Sequence, residues 1–167
     1  AGRTLSHADV KDAEALLVRS VTQVNEILTQ NTDIKFVGSA TIGTDHLDIQ
    51  ALEKQCISWS NAAGCNAQAV SEYVITALLH IQPQLLNKGS DFTLGVIGLG
   101  NVGSRLVTMA KLLGWKVIGT DPFVQCTHVE QVEIEQLLSQ ADAISIHVPL
   151  TKQGEHPTYH LINAEAL

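Results

Sequence analysis

Apolar positions along this chain follow two rhythms. Short runs rich in Val, Ile and Ala alternate with longer stretches in which apolar residues recur every three or four positions. Such alternation predicts α/β folding around a parallel sheet, because a sandwich would show the strand rhythm alone and a bundle the helical one alone. In the first half it predicts a strand over 15–19, a helix over about 23–30, a strand over 34–38, a helix over about 47–55 and a short strand over 57–60. Asn66 opens the longest helical stretch, in which Val70, Val74, Ala77, Leu78 and Ile81 are spaced for one buried face, and Pro83 marks its end.

The segment NKGSD at 87–91 reads as a linker between two packed units. Beyond it the pattern predicts a buried-type strand over 93–98, an amphipathic helix over 101–113 closed by Gly114, and a second strand over 116–120. A helix around 133–139 and a third strand over 143–147 follow. The expected fold class is therefore α/β in two parts. One is an incomplete Rossmann-type doubly wound parallel sheet and the other an incomplete flavodoxin-like α/β unit. The first unit lacks an opening strand and the second has fewer strands than a doubly wound domain needs, so the sequence is expected to be a piece of a longer polypeptide.

Composition narrows the classes of function. With 45% hydrophobic and 16% charged residues, the 167-residue chain has apolar material for a real core, which excludes disorder as its main state. A formal charge of −7 provides no general basic field, so neither nucleic acid nor an anionic membrane surface is an expected partner. Apolar runs such as 74–79, broken by Thr76, are far shorter than the roughly 20 residues of a bilayer crossing. Three cysteines, Cys56, Cys65 and Cys126, form no CxxC pair and are odd in number, which suits a reducing cytosol better than a disulfide scaffold. Residues 1–12, AGRTLSHADVKD, do not read as a targeting leader.

The strongest chemical motif is Gly98-Leu99-Gly100-Asn101-Val102-Gly103, a GxGxxG that follows a predicted strand and opens a predicted helix. In that setting Gly98 permits a tight turn, Gly100 lets backbone approach a pyrophosphate, and Gly103 lets helix and strand pack closely. Asp121 ends the next strand, eighteen residues past Gly103, where its carboxylate can accept from ribose hydroxyls and repel a 2′-phosphate. NAD rather than NADP is the expected cofactor. The plainer alternative is that Asp121 only starts a turn before Pro122.

Other polar residues stand at predicted strand ends. His147-Val148-Pro149 follows the third strand of the second unit, where Val148 could wall a cofactor pocket and His147 reads as a packed strand-end residue. Ser20 and Thr41 end successive strands of the first unit beside Arg19, and a helix starting near Thr22 would add an attraction for an anionic substrate. Capping or turn closure explains Ser20 and Thr41 equally well. Asp45 and Asp48 read as helix-start residues rather than catalysts, and Cys65 has no base near it in sequence. His46 and the other histidines show no ligand spacing, so no metal site is expected.

Taken together, GLGNVG, the Asp121-Pro122 strand end, HVPLT at 147–151 and NAAGCNAQAVSE at 61–72 resemble the D-isomer-specific 2-hydroxyacid dehydrogenases. LLVRSVTQVNE at 16–26 and SATIGTDHLD at 39–48 strengthen the likeness. The resemblance implies a cytoplasmic enzyme, a homodimer when complete, that uses NAD to oxidise a small phosphorylated hydroxy acid. By position it implies substrate contacts at Ser20 and Thr41. It implies cofactor contacts at Gly98, Gly100, Asn101, Val102, Gly103, Asp121 and Val148, the last standing where related enzymes can carry Thr.

The family's catalytic Arg, Glu and His lie later in the polypeptide than Leu167, so no catalytic residue is expected within this chain. It further implies a substrate-binding domain over 1–66 and an NAD-binding domain over 67–167, with an interdomain helix over 66–86 as the hinge region. Two rivals share these features: a dehydrogenase of the phosphoglycerate or glyoxylate type, and a non-catalytic NAD-sensing regulator.

Overall fold

The computed structural model describes residues 5–164, and it divides the chain into two compact units, Ala1–Cys65 and Asn66–Leu167. Residues 87–91 fall inside the second unit rather than between the two. They belong to two short 3-10 turns, Pro83–Asn87 and Gly89–Asp91, anchored by the fully buried Leu85. Leu85 joins the core and its carbonyl accepts from Trp115 Nε1 at 3.0 Å, so a stretch of linker-like composition is held as packed structure.

In the first unit α1 (His7–Val10) precedes two βα repeats and a third strand: β1 (Ala15–Val18), α2 (Glu26–Thr29), β2 (Phe36–Ser39), α3 (Ile49–Lys54) and β3 (Ser58–Asn61). The strands form a parallel sheet in the order β1-β2-β3, with Val18 level with Ser39 and Ser39 level with Asn61. Leu16, Val18 and Val37 meet Val24, Leu28, Leu47 and Leu52 in one core. Strand alternation sends Leu17 to the other face, where it is 78% exposed beside Phe36.

The second unit begins with α4 (Ala67–Ile81). Its buried stripe is Ala67, Ser71 and Ile75, with Val74 and Leu78 packed alongside, whereas Ile81 is exposed. The expected face was therefore rotated. A polar Ser71 is accommodated in the stripe because its one hydroxyl hydrogen is satisfied within the protein, pointing at the Ala67 carbonyl at 2.8 Å with the Val102 carbonyl at 3.2 Å as a second, weaker acceptor.

Then come β4 (Thr93–Ile97), α5 (Asn101–Leu112), β5 (Lys116–Thr120), β6 (Glu130–Gln131), α6 (Ile134–Gln140) and β7 (Ala143–Ile146), in a fully parallel sheet of order β6-β5-β4-β7. Numbered from β4, that is the 3-2-1-4 order of a doubly wound nucleotide fold. Leu94, Val96 and Val117 pack with Leu106, Val107 and Ala110 of α5 on one face, while Ile97 and Ile118 pack with Leu137 of α6 on the other. The strands are thus added in opposite directions on the two sides of β4, with β5 on one flank and β7 on the other, and the carboxyl edge at such a reversal is where sheets of this kind bind ligands.

Candidate functional site

The glycine loop lies at that reversal. Gly98 leaves β4 with φ +90°, and a Cβ there would stand 2.6 Å from the His147 carbonyl oxygen and 2.8 Å from Val148 Cγ1, both just past β7. Gly103, in the first turn of α5, is more constrained: a Cβ would lie 1.9 Å from the Gly98 carbonyl oxygen. Gly100 differs from both, since nothing lies within 4 Å of where its Cβ would be.

Two glycines are thus required by the protein's own packing, and the third borders open space at the helix start. Gly100 is the N-cap of α5 and no side chain caps it, which leaves the first-turn amides directed at that space. Glycine backbone, free amides and the positive end of a twelve-residue helix suit a diphosphate, so the residues present fit a dinucleotide.

Asp121 is both a turn residue and an anchor for the loop. Its Oδ1 accepts from the amides of Phe123 at 2.9 Å and Val124 at 3.0 Å, the turn role expected as the plainer alternative. Its Oδ2 accepts from Leu99 N at 2.7 Å, so the same carboxylate fixes the first bend of the glycine loop. Three of its roughly four acceptor positions are used, and the vacant one is on Oδ2. Gln131 completes this edge, its side chain bridging Cys126 N and the Val124 carbonyl.

His147 continues the β7 ladder through its amide, which donates to the Ile97 carbonyl at 2.7 Å. Its ring is half-buried against Ser145 Oγ, 2.8 Å from Nε2, and burial pushes its pKa below the ordinary histidine value. Val148 packs on the cluster of Ile97, Ile118 and Leu137 and flanks Gly98.

In the first unit, Ser20 and Thr41 stand two positions beyond the paired residues Val18 and Ser39, at the carboxyl edge of adjacent parallel strands. The expected helix near Thr22 is absent. Residues 19–22 form a turn, with Thr22 N donating to the Arg19 carbonyl, and Val24 pairs with Leu47 as a bridge. Val24 N donates to the His46 carbonyl and Asp48 N to the Val24 carbonyl, both at 2.8 Å, which draws residue 24 out of helical geometry. Helix α2 starts only at Glu26 behind the N-cap Asn25 and has four residues, so it lends Ser20 no helix-end attraction. Arg19 and Ser20 are exposed.

Asp48 caps α3, accepting from Ala51 N at 3.0 Å. Asp45 lies three residues before that cap and does not share the role. Cys65 is exposed and free. Among the described residues no group of three or more His, Cys, Asp or Glu could hold a metal ion, and no helix is long and apolar enough to cross a membrane.

What sequence reasoning missed is a buried chain behind Thr41. His46 is 2% exposed, and its Nε2 lies 2.9 Å from Ser39 Oγ, which lies 2.7 Å from Thr41 Oγ1. Asn61, at the end of β3, donates from Nδ2 to the Ile42 carbonyl at 2.6 Å and holds the same loop. The one available signal was the pairing of a hydroxyl at a strand end with a histidine in the return loop.

Residues 76–167 match the family model for the D-isomer specific 2-hydroxyacid dehydrogenase, NAD binding domain. The chain belongs to this family. An erythronate-4-phosphate dehydrogenase from Acinetobacter baumannii is 72% identical over 166 residues, covering 99% of this chain and 47% of that relative. The chain thus spans about half the length of the curated relatives it matches.

Among solved structures, the NAD+-bound 3-phosphoglycerate dehydrogenase of Entamoeba histolytica is 31% identical with a TM-score of 0.69, covering 87% of this chain and 50% of that one. The D-lactate dehydrogenase of Aquifex aeolicus, complexed with NAD and lactic acid, is 25% identical with a TM-score of 0.76, covering 97% and 55%. The matched residues 76–167 include the whole Gly98–Gly103 loop, Asp121 and Val148.

Proposed function

We propose that this chain forms part of an enzyme that oxidises 4-phospho-D-erythronate to 2-oxo-3-hydroxy-4-phosphobutanoate with NAD, a step toward pyridoxal 5′-phosphate. The observation that carries the reading is the 72% identity to an erythronate-4-phosphate dehydrogenase over nearly the whole chain. The glycine loop at the β4/β7 reversal supports it physically.

In this reading the amides of Gly100, Asn101, Val102 and Gly103 hold the pyrophosphate, with Gly98 shaping the turn. Asp121 uses its vacant acceptor position for a ribose hydroxyl, and Val148 walls the cofactor apolarly. Bound there, the nicotinamide supplies a hydride acceptor. Ser20 and Thr41 bind and orient the small phosphorylated acid, and holding both reactants in place supplies much of the rate. The catalytic acid/base machinery is contributed by residues outside this chain. The complete protein works as a cytoplasmic homodimer.

An assay of the natural full-length protein with NAD tests the proposal, using 4-phospho-D-erythronate against 3-phosphoglycerate. Turnover selective for the first is expected. Equal or better turnover of 3-phosphoglycerate, or none of either, would overturn it.

A further inference from the structure

Counting protons along the buried chain behind Thr41 fixes its direction. The Gly43 carbonyl can only accept, so Thr41 Oγ1 donates its single hydrogen there, at 3.2 Å. Thr41 Oγ1 must then accept from Ser39, which uses up the only hydrogen on Ser39 Oγ. His46 Nε2 is left as the donor to Ser39 Oγ. The ring is thus the neutral Nε2–H form, and its bare Nδ1 is the one buried side-chain nitrogen or oxygen among the described residues with no partner. The opposite tautomer would bury an unpaired N–H, and the imidazolium an unpaired N–H and a charge.

From this we infer that His46 is a positioning residue for substrate binding: through Ser39 it drives the hydrogen of Thr41 outward, toward an anionic oxygen of the acid. Thr41 is half-buried at the carboxyl edge of the sheet, and its hydrogen now rests on Gly43, an exposed loop carbonyl. Because Ser39 Oγ–H already occupies one lone pair of Thr41, rotation of the Thr41 hydroxyl is restricted to the side away from Ser39. A carboxylate or phosphate oxygen arriving there is a stronger acceptor than a neutral carbonyl and takes the hydrogen over without any other bond in the chain changing. An apolar residue at 46 would avoid the unpaired Nδ1 but would free Ser39 to turn its hydrogen elsewhere, leaving Thr41 without a fixed direction. The inference rests on the proposed substrate role of Thr41.

Two measurements test it. Long-range 1H–15N correlation on the natural full-length protein at neutral pH should show His46 protonated at Nε2 and bare at Nδ1; an Nδ1–H ring or an imidazolium overturns the relay. In the natural full-length protein, His46→Leu should raise KM for 4-phospho-D-erythronate about tenfold, with kcat and the KM for NAD changed by less than about threefold. His46→Gln, which keeps an N–H near the Nε2 position, should recover most of the loss. Ser39→Ala should reproduce the His46→Leu effect, which keeps the test open if the leucine variant folds poorly.

Unchanged KM in both His46→Leu and Ser39→Ala, or failure of glutamine to rescue, refutes the role. Repeating the series with unphosphorylated D-erythronate identifies the oxygen: a persisting effect assigns it to the carboxylate, a vanished one to the phosphate. Lack of activity on 4-phospho-D-erythronate in the unsubstituted protein, with the Nε2–H ring observed, removes the substrate assignment and leaves the relay standing.

Discussion

The amide of Leu99 donates to Asp121 Oδ2 at 2.7 Å, which ties the first bend of the glycine loop to the end of the neighbouring strand. One carboxylate thereby shapes the glycine turn, and in the proposed function its vacant acceptor position takes a ribose hydroxyl. Asp121→Ala strips acceptors from three backbone amides and should destabilise the second unit by about 1–3 kcal/mol. The chain has two tryptophans, one in each unit, so fluorescence in a urea titration reads this unit through Trp115 in a Trp59→Phe background and the other unit through Trp59 in a Trp115→Phe background. NAD affinity measured by calorimetry should fall with it. The unsubstituted protein should bind NADP far more weakly than NAD, and equal affinities would remove the ribose role of Asp121.

Gly103 and Gly100 should separate a packing glycine from a ligand glycine. Gly103→Ala places a methyl group against the Gly98 carbonyl and should cost at least about 1–3 kcal/mol of stability. Gly100→Ala meets open space and should cost less than about 1 kcal/mol. Its NAD affinity should nevertheless drop on the order of tenfold, because the methyl group occupies the approach of the pyrophosphate. Urea midpoints and NAD titrations of the two variants, side by side, check this.

His147 sets a pH dependence. Burial lowers its folded-state pKa, so below the ordinary value of about 6.5 the unfolded chain takes up a proton that the folded one resists. Its contribution is therefore fully present above about 6.5 and is lost as pH falls from there through the folded pKa. Stability of the second unit measured from neutral to mildly acidic pH should slope downward, and His147→Gln should flatten part of that slope.

Asp48 and Asp45 look alike in the sequence and should behave differently. Asp48→Ala removes the cap of α3 and should cost about 1 kcal/mol in a urea titration followed by Trp59. Asp45→Asn, off the cap, should shift the midpoint hardly at all.

Local chemistry made much of this molecule legible from its residues alone. The α/β alternation, the parallel strands at β4, β5 and β7, and the helix α5 closed by Gly114 at φ +81° follow from hydrophobic period and backbone freedom, which are properties of short segments. The glycine loop was readable for the same reason. Its roles were not separable, because which glycine touches protein and which faces open space depends on what β7 brings beside β4.

Tertiary structure alone decided the rest. Gln23 and Val24 fall within the helix expected over 23–30, yet pairing of Val24 with Leu47 withheld them from α2 and removed the helix end from Ser20. The two-residue strand β6 is too short to leave a period and exists only through its ladder with β5. The stripe of α4 turned to bury Ala67, Ser71 and Ile75, a choice that only packing against the rest of its unit could make. Ser39, Thr41 and His46 became one hydrogen-bonded chain because the loop after β2 folds back over its own strand end. A linear pattern records how a segment prefers to fold, but hydrogen-bond partners far along the chain are chosen by packing, and in these places packing prevailed.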